Sequence, residues 1–300
     1  MTSTSAADQP MGPAPGREGR DFFIGIDSDG CVFDTMGVKH KECFIPEFIE
    51  HFGLHPVADH AREAAEFANL LSKWRGINRF HGYLMVLELL AEHPGVAGSG
   101  FEVPKAEGLK AWLERERKPG NPTLAAEVAR TGDPDLALTL RWSEAVNRSI
   151  ERTVRDVPPF PLVRECLGRM AGRAEVVVIS STPGEALDRE WEQHDLRKYV
   201  ARIAGQEQGA KVEVLAAASR GFDRSKVLMM GDAPGDHQAA LKNGALFYPI
   251  EPGHEAESWR RLHDEALPRF FDGTYAGAYM DEQVRRFEAG LPDTPPWKRS

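Results

Sequence analysis

Apolar residues gather in four short runs: "FFIGID" at 22–27, "EVVVIS" at 175–180, "KVLMMGD" at 226–232 and "ALFYPI" at 245–250. None alternates with polar residues. Near-continuous Val, Ile, Leu, Met and Phe is the pattern of strands buried on both faces, as in a parallel sheet. "VARIAG" at 200–205 is a weaker fifth candidate. Segments with helical character separate the later runs: "GEALDREWEQHDL", "QGAKVEVLAAAS" and "GDHQAALKNG", the last closing on Asn-Gly, a helix stop. Strand–helix alternation predicts a doubly wound α/β sheet with right-handed crossovers. Ligands in such sheets bind beyond the carboxyl ends of the strands. Three of the runs place Asp, Ser or Gly-Asp there.

The stretch between the first two runs is too long for one crossover and reads mostly as helix. In "AREAAEFANLLSKW" (61–74), Ala61, Ala64, Ala65, Ala68 and Leu71 fall on one stripe. "GYLMVLELLAEH" (82–93) is apolar over most of its surface, and "DPDLALTLRWSEAVNRSIERTV" (133–154) opens on an Asp N-cap followed by Pro. "DVPPFP" (156–161) ends the pattern. The expected organisation is a tail over 1–20, an α/β core over 21–35 and 157–253, an inserted helical domain over 36–156, and a C-terminal helical extension over 254–300.

Composition narrows the function classes. A 41% hydrophobic and 28% charged chain can fill a core. The formal net charge of −9 argues against a nucleic-acid or anionic-membrane binder. No apolar run reaches the roughly 18–20 residues of a membrane span, and the Pro- and Ser-rich start lacks the apolar segment of a signal peptide. Cys31, Cys43 and Cys166 have no metal-like spacing, so a reduced, cytoplasmic setting is expected.

Four carboxylates, Asp27, Asp29, Asp232 and Asp236, fall at the strand ends. Adjacent carboxylates repel and need compensation, and a hard cation such as Mg²⁺ supplies it. In extended backbone Asp27 and Asp29 leave on the same side. One can then act as nucleophile and the other as general acid/base, giving an aspartyl-phosphate if the target is phosphorus. Taken singly, Asp232 and Asp236 also suit a turn and a helix N-cap, Lys211 suits a solvated helix face, His237 a helix surface, and Asp34 a cap for the next helix.

"IGIDSDGCVFD" resembles the first motif of the haloacid dehalogenase (HAD) superfamily, "VVVISS" the second, "GQEQGAKVEVL" the third and "VLMMGDAPGDHQAA" the fourth, in the family's order. The chain is most similar to the branch of phosphoglycolate phosphatases and beta-phosphoglucomutases, which carry a helical C1 cap. The resemblance implies a HAD-like Rossmannoid core with a cap over 36–156. It implies Asp27 as nucleophile and metal ligand, and Asp29 as acid/base with its carbonyl on the metal. Ser180, in preference to Ser181 or Thr182, would hydrogen-bond the phosphoryl group. Lys211 would neutralise charge, and Asp232 and Asp236 would hold Mg²⁺. The expected activity is a Mg²⁺-dependent phosphatase acting on a small phosphorylated metabolite. A phosphomutase of the same fold and a non-catalytic binding protein are the alternatives. Cys31 stands where the family often has Thr. In the cap, Arg75, Asn78 and Arg79 at helical spacing, with Ser181 in the core, are the expected substrate contacts.

Overall fold

The computed structural model describes residues 20–298, and the expected tail lies outside them apart from exposed Arg20. The described residues form two compact units, one of residues 20–35 and 156–290, the other of residues 36–155 and 291–298.

In the first unit the apolar runs become β1 (Phe22–Ile26), β2 (Ala174–Ile179), β3 (Arg202–Ala204), β4 (Val227–Gly231) and β5 (Leu246–Pro249). All pair in parallel, in the order β3-β2-β1-β4-β5. β2 and β4 are buried along their whole length, which explains the absence of alternation in their sequences. Helices Gly184–Gln193, Lys211–Ala218 and Pro234–Asn243 supply the crossovers. β1 is central, with Ile24 opposite both Val176 of β2 and Leu228 of β4. The residues that follow these three strands, Asp27, Ser180 and Asp232, therefore leave the sheet at neighbouring carboxyl ends.

The second unit is helical. Its core is aromatic, with Tyr83 stacked on Phe52 at 4.4 Å and set against Trp142 at 5.3 Å. Helix Pro134–Thr153 starts where the Asp133 side chain accepts from the amides of Asp135 and Leu136. The alanine-striped helix spans Ala58–Leu70 and buries Ala61, Ala64, Ala65 and Ala68. Leu71 falls beyond its end and is 49% exposed, so it does not continue the stripe.

The C-terminal residues do not form one extension. Helices within 255–290 belong to the α/β unit, and 291–298 joins the helical unit. There Pro292 accepts from the Lys73 amide at 3.3 Å, and Trp297 sits against Phe67 and His93.

Candidate active site

The loop after β1 begins with Asp27, whose amide donates to the Met230 carbonyl at 3.0 Å and continues the β1–β4 ladder. Asp27 Oδ1 accepts from the Ser28 amide at 2.8 Å, and Oδ2 accepts from Lys211 Nζ at 2.6 Å. After β4, Asp232 is fully buried, and the chain turns into helix Pro234–Asn243. Asp236 reaches back to accept from the Ala233 amide at 3.1 Å and, through Oδ1, from Lys211 Nζ at 2.7 Å. The N-cap itself is Ala233; Asp236 caps it from the third helical position instead, and the same carboxylate also faces the cluster. The turn requires glycine at 231, since a Cβ there would lie 2.2 Å from Asp236 Cγ.

Asp27, Asp232 and Asp236 each offer a carboxylate oxygen within 4.8 Å of the others. Hard oxygen donors in this number suit a hard divalent cation. Three carboxylates against one ammonium also leave two negative charges in a buried place, which a divalent cation would balance. Burial opposes the charge on Lys211, but the carboxylates of Asp236 and Asp27 outweigh it and hold the ammonium well above its ordinary pKa. Asp236 is pushed up to about 7, first by burial, against the pull of Lys211 and with repulsion from Asp27 and Asp232. Burial and then the same three aspartates raise the Cys31 thiol well above its usual range. Fully buried and protonated, Cys31 is no nucleophile.

The Asp29 carboxylate is not part of this trio. Oδ1 accepts from Thr35 Oγ1, and Oδ2 accepts from Thr182 Oγ1 at 2.5 Å. The two-residue spacing predicts a shared side for Asp27 and Asp29, but β1 ends at Ile26 and the loop sends them to different partners. Ser180 is buried at the end of β2, with its amide on the Ala204 carbonyl at 3.0 Å and its Oγ accepting from the Thr182 amide at 3.3 Å. Ser181 is exposed. Thr182, weighed in the sequence against Ser180 and set aside, is the one of the three whose hydroxyl reaches Asp29.

The cap candidates find partners within the helical unit. Arg75 lies in a turn ahead of helix Arg79–Ala91, so it shares no helix face with Arg79. It is buried and donates to the Leu70 carbonyl at 2.9 Å. Asn78 is that helix's N-cap, accepting from the Phe80 amide and donating to the Pro119 carbonyl at 3.0 Å. Arg79 donates to Ser143 Oγ at 3.0 Å and Asn147 Oδ1 at 2.7 Å, lies over Phe44, and is lowered to about 10 by burial. All three have structural partners that local spacing does not reveal.

A second cluster, His60, Glu63 and His93, also has the composition of a metal site. Here His93 Nδ1 accepts from the Gly95 amide at 3.1 Å, which caps helix Pro94–Ala97. A neutral His93 therefore carries its proton on Nε2, 3.2 Å from Glu63, and has no lone pair to offer there. His237 stacks on Phe247 at 4.9 Å and is not a plain surface residue.

No family model matches the chain, and no curated protein matches it. Among solved structures it is similar to a candidate beta-phosphoglucomutase from Bacteroides vulgatus, at 13% identity and a TM-score of 0.47, over 86% of this chain and 92% of that one. It is similar to a hydrolase from Pseudomonas syringae at 14% identity and a TM-score of 0.45, over 80% and 89% of the two chains. A haloacid dehalogenase-like hydrolase from Streptococcus pneumoniae aligns at 11% identity and a TM-score of 0.44, over 80% and 90%. The parallel β3-β2-β1-β4-β5 sheet, with Asp27, Ser180 and Asp232 after its three central strands, gives this chain a doubly wound α/β fold. What the site does is read from its own residues.

Proposed function

We propose that this chain is a Mg²⁺-dependent phosphatase that hydrolyses a small phosphorylated metabolite through an aspartyl-phosphate on Asp27. The observation that carries the reading is Lys211 Nζ set between Asp27 at 2.6 Å and Asp236 at 2.7 Å, inside a buried carboxylate trio completed by Asp232. A fixed cation holding one oxygen of a buried carboxylate, beside an oxygen-donor cation site, is the charge-neutralising arrangement that phosphoryl transfer needs.

Asp27, Asp232 and Asp236 would hold the metal ion, which supplies charge neutralisation for the phosphoryl group. An Asp27 carboxylate oxygen attacks phosphorus, and the bond to the leaving oxygen breaks. Asp29 in its protonated form gives its proton to that oxygen. The ionised Asp29 then takes a proton from water as the water oxygen attacks the aspartyl-phosphate, which frees phosphate and restores Asp27. Ser180, buried at the end of β2, donates its hydroxyl to the phosphoryl oxygens. Lys211 offsets negative charge on Asp27 throughout. Choice of substrate is assigned to the helical unit.

Phosphate release from a panel of phosphorylated metabolites tests the reading, with Mg²⁺ or EDTA, for the wild type and Asp27→Asn. Metal-dependent release that disappears in Asp27→Asn is the expected result. Absence of release from every compound by folded, Mg²⁺-supplied protein overturns it. Interconversion of sugar monophosphates without release would establish a mutase instead.

A further inference from the structure

The helix Glu255–Arg261 carries two polar anchors in succession, and they point to opposite partners. Ser258 is fully buried, and its Oγ accepts from the Glu251 amide at 3.0 Å, while its carbonyl accepts from Tyr248 Oη at 2.6 Å. Both partners lie at or just past the end of β5. The next residue, Trp259, is also fully buried and donates from Nε1 to the Cys31 carbonyl at 2.8 Å. Cys31 lies in the loop that carries Asp27 and Asp29. A second indole engages the same loop, as Trp191 Nε1 donates to the buried Ser28 Oγ at 3.0 Å.

The loop is also tied by the partners of Asp27 and Asp29, by the Cys31 and Phe33 amides, which both donate to the Ser28 carbonyl at 3.2 Å, and by the Phe160 amide, which donates to the Val32 carbonyl at 2.9 Å. The Ser28 carbonyl accepts from the Val32 amide at 2.8 Å, Gly30 donates to the Phe33 carbonyl at 2.7 Å, and Gly30 takes a φ of 78°, which glycine adopts without strain. The Cys31 carbonyl is buried, so loss of its donor would leave an unsatisfied acceptor in the core.

We infer that Trp259 is a positioning residue for the reaction. The helix Glu255–Arg261, clamped to the end of β5 by Ser258, fixes the Cys31 carbonyl and through it the placement of Asp27 and Asp29. This assigns the first part of the C-terminal region to the active-site loop. The inference rests on the phosphatase reading for its kinetic consequence, though not for its structural one.

Trp259→Phe keeps an aromatic ring in the core and removes the N–H donor, together with part of the indole's volume. The test measures kcat and KM for p-nitrophenyl phosphate, the pH profile of kcat, and Mg²⁺ affinity by calorimetry, for wild type, Trp259→Phe and Ser258→Ala. The expected result in Trp259→Phe is a fall in kcat of about tenfold, the rate equivalent of one misplaced hydrogen bond, with KM unchanged. A displaced pH profile and weaker Mg²⁺ binding should accompany it. Ser258→Ala, which loosens the clamp without touching the loop, shifts the same quantities less. A folded Trp259→Phe with wild-type kcat, pH profile and Mg²⁺ affinity overturns the inference, whatever its melting temperature. If Trp259→Phe does not fold, an unchanged kcat and Mg²⁺ affinity in Ser258→Ala overturns it. If the wild type releases no phosphate, the function proposal fails by itself. Mg²⁺ calorimetry with the two variants still decides the loop inference.

Discussion

Lys211 donates from Nζ to Asp27 Oδ2 at 2.6 Å, joining the start of a crossover helix to the end of the central strand. The same ammonium holds Asp236. Removing it leaves buried carboxylates facing one another. Lys211→Met should lower kcat by about 100-fold or more, the usual cost of losing a preorganised charge partner at a reacting oxygen. Steady-state phosphate release, with circular dichroism to confirm folding, checks this.

Metal removal should be visible without turnover. A ligand that binds only the native state raises stability, by about 2.7 kcal/mol at a hundred times its Kd. Mg²⁺ should therefore raise the melting temperature and EDTA should reverse the rise. Asp232→Asn, which takes away one of the three clustered carboxylates, should abolish the shift. A full shift in that variant would move the metal elsewhere.

Asp29 accepts from Thr35 and Thr182, one hydroxyl on each oxygen. Asp29→Asn loses the proposed acid/base and should cost at least about 100-fold in kcat. Thr182→Val keeps the carboxylate but removes one of its hydroxyl donors, so a loss of roughly tenfold in kcat with little change in KM is expected. An equal rise in KM would instead make Thr182 a binding residue.

In the helical unit, Glu127 accepts from Arg130 at 2.7 Å and 2.9 Å and also from Arg115. The hydrogen bonds from Arg130 and then Arg115 hold its pKa down at about 2, from an ordinary 4.5. Between those values the unfolded chain binds a proton that the native state does not. The stabilisation is therefore complete above about pH 4.5 and is lost as pH falls towards about 2. Urea midpoints across this window should fall less steeply for Glu127→Gln than for wild type.

The sheet and its carboxylates were legible because both depend on local pattern. A strand buried on two faces shows it in every residue, as in "VVVI", and Asp27, Asp232 and Lys211 each adjoin the start or end of an element that the pattern marks. The helical unit was less legible. Arg79 follows the right spacing for a ligand-binding face, but Ser143 and Asn147, from a helix much later in the chain, take up its donors. Arg75 is turned inward by the Leu70 carbonyl, a backbone group that has no sequence signature. Nothing in the sequence around Trp191 or Trp259 marks their N–H groups, and only the fold shows that they meet the loop after β1.

The order β3-β2-β1-β4-β5 also has a consequence for biosynthesis. The first strand to leave the ribosome is the central one, and both its neighbours come from the second half of the chain, with Phe22 opposite Ala174 and Phe23 opposite Val227. Until then β1 has no partner on either edge, and Asp27 has neither Lys211 nor Asp232. The helical unit is complete in sequence, apart from its last segment, well before that point. Until β2 at 174–179 is made, the nascent chain thus carries an unpaired apolar strand, the condition that favours chaperone capture and aggregation. Catalytic competence should arrive late and all at once.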